Sequence, residues 1–290
     1  MTKRSKVVLV GLVFLITAGY FGLKAYAAHV AEKNVSQAAS RVSGFVDLDY
    51  QQVSVDLFGM DTHIKNVRIS GLDRRQTLKI DDIVIYRAAH QGKVPESLHV
   101  RFNGINVDLD QMGKNAAALR QLGYSRLKAD TELDYTYDPA QRTLEVTKFQ
   151  TGATELGDGM MTCRIKNIDL SPASLPFLFF TFPNILVDRA EVTYTDHSFV
   201  RRLLEAAAQK NGQTYEGFSK DLNADLDKEI AAASDPFTIQ VMNSIQAFLN
   251  NPTAITFSVL PDKPVSIGKL QNMTDRDELI KLLNAKASVD

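Results

Sequence analysis

Five histidines, His29, His63, His90, His99 and His197, are spread singly along the chain, and none stands in an HExxH or comparable metal-ligand spacing. Isolated in this way, each reads as a surface or cap residue. Asp196-His197-Ser198 contains the residue types of a hydrolase triad, but a triad converges in space from separate elements, not from sequence neighbours. Lying between a strand pattern and a helix pattern, Asp196 or Ser198 reads instead as an N-cap for free backbone N–H groups. Asp221, Asn223, Asp225 and Asp227 imitate the first half of a calcium loop, yet Leu226 replaces the required glycine and Ala232 the bidentate glutamate. An acidic helix face is the simpler reading. The glycine-rich run GATELGDG at 152–159 lacks the Lys-Ser/Thr ending of a phosphate loop and reads as a turn between strands. Cys163 is the sole cysteine, so an intrachain disulfide or a cysteine metal cluster is ruled out, and the residue is expected to behave as a small buried hydrophobe. No catalytic residue, cofactor or metal ligand is therefore expected, and the chain is read as something other than an enzyme.

The elements that would carry these residues belong to an ordinary folded chain. Apolar residues make up 44% and charged residues 23% of 290, a globular balance. Thirty-three basic and thirty-four acidic residues give a formal charge of -1, with the signs interspersed. A nucleic-acid protein concentrates Lys and Arg on one face or segment to neutralise phosphates, and no such segment exists here, so nucleic acid is excluded as a partner.

Residues Val7 to Leu23 are uncharged and mostly apolar, with Val7, Leu12, Phe14, Ile16, Phe21 and Leu23 among them. With Lys24 snorkelling, the stretch to Ala28 reaches about 22 residues, enough to span a bilayer core at about 1.5 Å per residue. Lys3, Arg4 and Lys6 precede it, which places the N-terminus in the cytoplasm and the remainder across the membrane. Ala25-Tyr26-Ala27 has the form of a signal-peptide cleavage site, but the apolar run exceeds the usual h-region of about 7 to 15 residues. A helical pattern also continues through it, in Ala27, Val30, Ala31, Val35, Ala38, Ala39 and Val42, ending near Gly44. Retention as an anchor is the expected outcome.

Beyond Gly44 the apolar period changes to two. Val46, Leu48 and Tyr50, then Val53, Val55 and Leu57, alternate with polar residues, and further strands are predicted at Ile64–Ile69, Leu78–Tyr86, Leu98–Leu109, Leu127–Tyr137, Thr143–Phe149 and Met161–Leu170. Short connections favour antiparallel pairing. A helix is predicted at Lys114–Leu122. The stretch Leu175–Leu186, LPFLFFTFPNIL, is too short to cross a bilayer and is interrupted by Pro183. It reads as a buried core segment or as a surface patch in which Phe177, Phe179, Phe180 and Phe182 touch lipid or a partner. A strand at Ile185–Tyr194 leads to amphipathic helices carrying Phe199, Val200, Leu203 and Leu204, then Phe218, Leu222, Leu226 and Ile230, then Phe237, Val241, Met242, Ile245 and Phe248. A strand at Ile255–Val259, an extended stretch Pro261–Leu270 and a last helix opened by Thr274 and Asp277 in capping-box spacing complete the pattern.

An N-terminal apolar run followed by LDYQQVSVDLFGMDTHIKNVRISG and KIDDIVIYRA resembles the opening of AsmA-like and related bacterial envelope proteins. The segments LDYTYDPAQRTLEV, VTYTDHSFVRRLLEAAAQKNGQ and FLNNPTAITFSVLPDKPVSIGKL are similar to a recurrent arrangement in proteins anchored in the inner membranes of proteobacteria. The resemblance implies an α+β fold: a transmembrane helix at 1–28, a juxtamembrane helix at 29–44, a β-rich AsmA-like domain at 45–196 forming an antiparallel, groove-like sheet, and a mainly helical region at 197–290, with a returning strand, packed on the sheet. It also implies a single-pass protein of the bacterial inner membrane, its bulk periplasmic, whose apolar groove or face contacts membrane lipid in envelope maintenance or lipid trafficking. The alternative is a structural or assembly subunit that docks on other envelope proteins through Gly11, Gly19 and Gly22 and its amphipathic helices.

Overall fold

The computed structural model describes residues 23–37, 39–40, 46–71, 77–90, 95–110, 112, 116–171, 173–174 and 177–290. It is an α+β structure with a large antiparallel sheet and helices toward the C-terminal end. Of the expected anchor residues, Val7, Leu12, Phe14, Ile16 and Phe21 lie outside the described residues; Leu23 is the first described residue, lies in helix α1 (described over residues 23–37) and is 64% exposed. Among the described residues no helix is long and apolar enough to cross a membrane.

Two compact units are present, one taking the chain to Arg87 together with Val100–Val107, the other comprising Ala88–His99 and Asp108–Asp290. In the first, β1 (Val46–Asp49) and β2 (Gln52–Val55) both pair antiparallel with β3 (Thr62–Gly71), which pairs in turn with β4 (Thr77–His90). Residues 100–107 belong to β5 (Pro95–Asp108), the next strand beside β4. The register puts Ile64 opposite Ile83, Val67 opposite Ile80 and Ile69 opposite Leu78, with a three-residue step in each strand at Asn66, whose φ is 54°, and Asp81. Ile64, Val67 and Ile80 are buried there, with Val35 of α1, Leu48, Val53, Phe102 and Ile105 packed around them.

In the second unit α2 (Ala117–Gln121) precedes a meander of β6 (Arg126–Asp138), β7 (Thr143–Ala153), β8 (Gly157–Lys166) and β9 (Leu186–Asp196). The short helix α3 (Leu178–Thr181) and a 3-10 turn (Phe182–Asn184) lie between β8 and β9. Helices α4 (Phe199–Lys210), α5 (Tyr215–Ala232) and α6 (Pro236–Asn250) then separate β9 from its partner β10 (Ala254–Val259). After β11 (Val265–Ser266), α7 (Ile267–Asn272) and α8 (Arg276–Leu282), β12 (Lys286–Val289) pairs with β10.

Several boundaries differ from the sequence expectation. The strand expected at Met161–Leu170 ends at Lys166, because Asn167 adopts a left-handed φ of 59° that turns the chain out of the ladder. The stretch Pro261–Leu270 is not extended throughout: Ser266 accepts a hydrogen bond from the Lys269 N–H and starts α7. The last helix is capped by Asp275, which accepts from Asp277 and Glu278, and not by a Thr274 box; a strand follows it. At α4 the residue in the cap position is Ser198, but it is Asp196 that accepts the Val200 N–H, while Ser198 donates to Glu155 O.

Candidate functional site: an apolar strip and a phenylalanine turn

Directly opposed residues in paired strands point to the same face, so the registers of the second unit sort every side chain into one of two faces. One cross-strand row reads Leu133, Phe149, Met161, Val192, Phe257 and Ala287, and the next reads Tyr135, Val146, Cys163, Ala190 and Val259. None of these is charged. The rows behind them read Glu132, Gln150, Met160, Thr193, Thr256 and Ser288, and Thr162, Glu191, Ser258 and Lys286. The sheet thus has an apolar and a polar face.

The apolar face is walled at both ends of its strands. At one end Tyr194, Ile255 and Val289 meet Val200, Leu204 and Phe248 of α4 and α6, with the Tyr194 and Phe248 rings edge to face at 6.1 Å. Helix α6 also covers Ala287 with Val241, and Gln240 and Ser244 both donate to the Ala287 carbonyl. At the other end Tyr137, Leu144 and Ile165 pack with Ile168, Leu170, Leu178, Ile185 and Ile267. Between these walls the strip is less covered: Val192 is 42% and Phe257 38% exposed, and Leu133, Phe149 and Met161 are half-buried. The strip is apolar enough to shift its own titratable groups, since burial pushes up both the Tyr135 phenol and the Cys163 thiol. A raised thiol pKa makes Cys163 a poor nucleophile.

The four phenylalanines are not core. Phe177, Phe179, Phe180 and Phe182 are 60, 85, 75 and 42% exposed, so of the two readings left open by the sequence the buried core segment is set aside and the surface patch stands. What is buried nearby is Ile185, with Leu178 packed beside it. A four-residue helix followed by a 3-10 turn cannot send every side chain of so apolar a segment inward; Leu178 takes the inward position and the rings splay outward, Phe179 and Phe180 in an edge-on pair at 5.9 Å. The C-terminal end of the turn is tied to neighbouring elements. Phe177 N donates to Ser174 O, Ile185 N to Phe182 O, Asn167 Nδ2 to Asn184 O and Ile267 N to Ile185 O. Gly268 lies so close that a Cβ there would be 2.9 Å from Pro183 Cβ.

The polar face carries an ion network. Glu145 pairs with Arg164 at 2.7 Å and with Arg189, and Lys166 with Asp188 at 2.8 Å. Hydrogen bonds from Arg164, joined by Arg189, outweigh burial and hold the Glu145 carboxyl below its usual range. Burial pushes Glu132 up, but His99 and Lys148, at 2.8 and 2.9 Å, together bring it below the ordinary value. An open cavity of about 500 Å³ beside this network is lined by residues of both charge signs, among them Glu145, Arg189, Glu191 and Lys286, of which Glu145 and Arg189 pair with each other.

The residues with a superficial catalytic look do not converge. Asp196 is engaged by Tyr194 and Val200, His197 by Thr154 O and Asp158, and Ser198 by Glu155 O. The phenol of Tyr194 is raised by burial and by its bond to Asp196, a structural tie at the β9–α4 junction. Among the described residues no group of three His, Cys, Asp or Glu side chains could hold a metal ion; Asp221, Asn223, Asp225 and Asp227 follow one another along α5. Leu133, Phe149, Met161, Val192 and Phe257 were not singled out by sequence reasoning. Their alternation was visible, but their union in one row depends on the registers.

A family model described as "Uncharacterized protein" matches residues 97–290, the greater part of the chain, and the chain belongs to that family. The matched stretch begins in β5 and includes the strip and the phenylalanine turn. No curated protein matches the sequence.

Proposed function

We propose that this chain is a non-enzymatic protein held at the bacterial inner membrane by its N-terminal apolar run, with its bulk in the periplasm, and that its sheet shelters a lipid acyl chain. The observation that carries this reading is the uncharged strip from Leu133 to Phe257, walled on two sides and incompletely covered between them. Five strands set about 4.8 Å apart give it a length of about 19 Å. A single leaflet of a bilayer core is about 15 Å deep, so an acyl chain matches the strip in length as well as in polarity. Burial of apolar surface at roughly 25 cal/mol per Å² supplies the driving force, with no requirement for a polar anchor within the strip. The resemblance of residues 48–71 and 79–88 to AsmA-like envelope proteins supports the same reading, although those segments precede the stretch matched by the family model.

Photocrosslinking in cells tests it. A photoreactive residue at Val192 or Phe257 of the full chain should yield lipid adducts, while the same residue at Met160, 43% exposed but on the polar face, should not. Equal lipid labelling at all three positions, or none at Val192 and Phe257, sinks the lipid reading. Protein adducts at Val192 would point instead to an assembly subunit.

A further inference from the structure

We infer that the phenylalanine turn is a membrane-inserting wedge, with Phe177, Phe179, Phe180 and Phe182 entering the interface of the bilayer from which the chain is tethered. This rests on the reading that the chain is membrane-anchored, but not on occupancy of the sheet strip. Three observations carry it. First, the rings are exposed on a segment anchored to the fold: Leu178 and Ile185 are drawn into the cluster around Tyr137 and Ile168, and the carbonyls of Asn184 and Ile185 accept hydrogen bonds from Asn167 and Ile267. A soluble surface leaves large apolar side chains scattered singly; four rings within six residues form a patch that calls for a cover.

Second, the chain carries no charge from Leu170 to Val187, so no charged side chain in this stretch must be desolvated when the turn enters an interface. The nearby acids are answered within the protein: Asp169 accepts from Ser171 and Ser174 and lies 4.0 Å from Arg142, and Asp188 accepts from Lys166. Lys269, directly after the glycine packed on Pro183, is exposed. Basic side chains beside buried aromatics favour anionic headgroups. Third, the apolar run at 7–23 brings a bilayer to the chain, so that a weak interfacial contact works at the high effective concentration of a tethered site.

The sequence contains no tryptophan, so Phe179→Trp creates a unique fluorophore. The full chain is reconstituted in vesicles of phosphatidylethanolamine and phosphatidylglycerol that include acyl-brominated lipid, with Gln209→Trp on the exposed side of α4 as the comparison. The Phe179→Trp emission should shift to the blue and be quenched about threefold more than that of Gln209→Trp, as expected for side chains about 5 to 10 Å into the interface. Phe180→Trp should behave alike, which guards against one variant misfolding. Protein that floats with the vesicles but shows two equally unquenched indoles overturns the wedge while leaving the anchor intact. A blue shift that depends on protein concentration and not on brominated lipid overturns it in favour of contact between copies of the chain. Failure to float removes the anchor and the wedge with it.

Discussion

The sharpest energetic test lies in the contrast between Phe179 and Ile185, six residues apart in an equally apolar stretch. Phe179 is 85% exposed, so only about a seventh of a phenylalanine's burial free energy, about 0.2 to 0.4 kcal/mol, is at stake in Phe179→Ala. The edge-on pair with Phe180 adds to this, but a pair that water reaches on most sides contributes at the low end of about 0.5 to 1.5 kcal/mol. The total stays under about 1 kcal/mol. Ile185 is 3% exposed and packs with Tyr137 and Ile168, so Ile185→Ala leaves a cavity and should cost about 2 to 5 kcal/mol. Urea unfolding followed by circular dichroism, with the m-value held constant as a check on two-state behaviour, measures both. If Phe179→Ala costs as much as Ile185→Ala, the ring is core and the outward-facing turn is wrong.

Two further outcomes follow from local geometry. Gly157 has φ 146° and a Cβ there would lie 2.3 Å from Thr195 O, so Gly157→Ala should destabilise by more than about 1 kcal/mol in thermal melts, and a neutral result would mean that the β8–β9 register differs at this end. Because Arg164 and Arg189 depress the Glu145 pKa, its contribution is full above the unfolded value of about 4.3 and is lost as pH falls through the lower folded value; Glu145→Gln should therefore flatten the loss of stability below about pH 4.3, and unchanged acid sensitivity would remove Glu145 from that role.

Much of the fold was legible because local pattern and burial agree. Val67 and Ile69 alternate with polar residues and lie in the core cluster of the first unit, and the helix stripes at Val200 and Leu204 and at Val241 and Met242 turn inward as their spacing requires. The pattern failed where local signals compete. LPFLFFTFPNIL has the hydrophobicity of a core segment, yet hydrophobicity alone does not state how many side chains a turn of this length can direct inward. Asn167 looks like an ordinary strand residue until its left-handed φ is seen. The apolar strip was out of reach for another reason: Val192 meets Phe257 across three intervening helices, and no local periodicity encodes a pairing between strands so far apart in sequence.

The bulges in β7 and β9 show what kind of change this sheet can absorb. Inward residues in β7 run Leu144, Val146, then Phe149, Thr151 and Ala153, and in β9 Val187, then Ala190, Val192 and Tyr194; in each strand one step of three interrupts the steps of two. The extra residues, Thr147 against β6 and Asp188 against β8, take up that phase slip in the ladder. Removing either by deletion would rotate half a strand, turning Phe149 or Val192 toward the charged face and Lys148 or Arg189 toward the apolar one. Replacing Thr147, which is exposed, by another residue of similar β preference should do little. At these two points it is the length of the polypeptide, more than the identity of its side chains, that the architecture constrains, so related sequences should keep the three-residue step even where the residue occupying it changes.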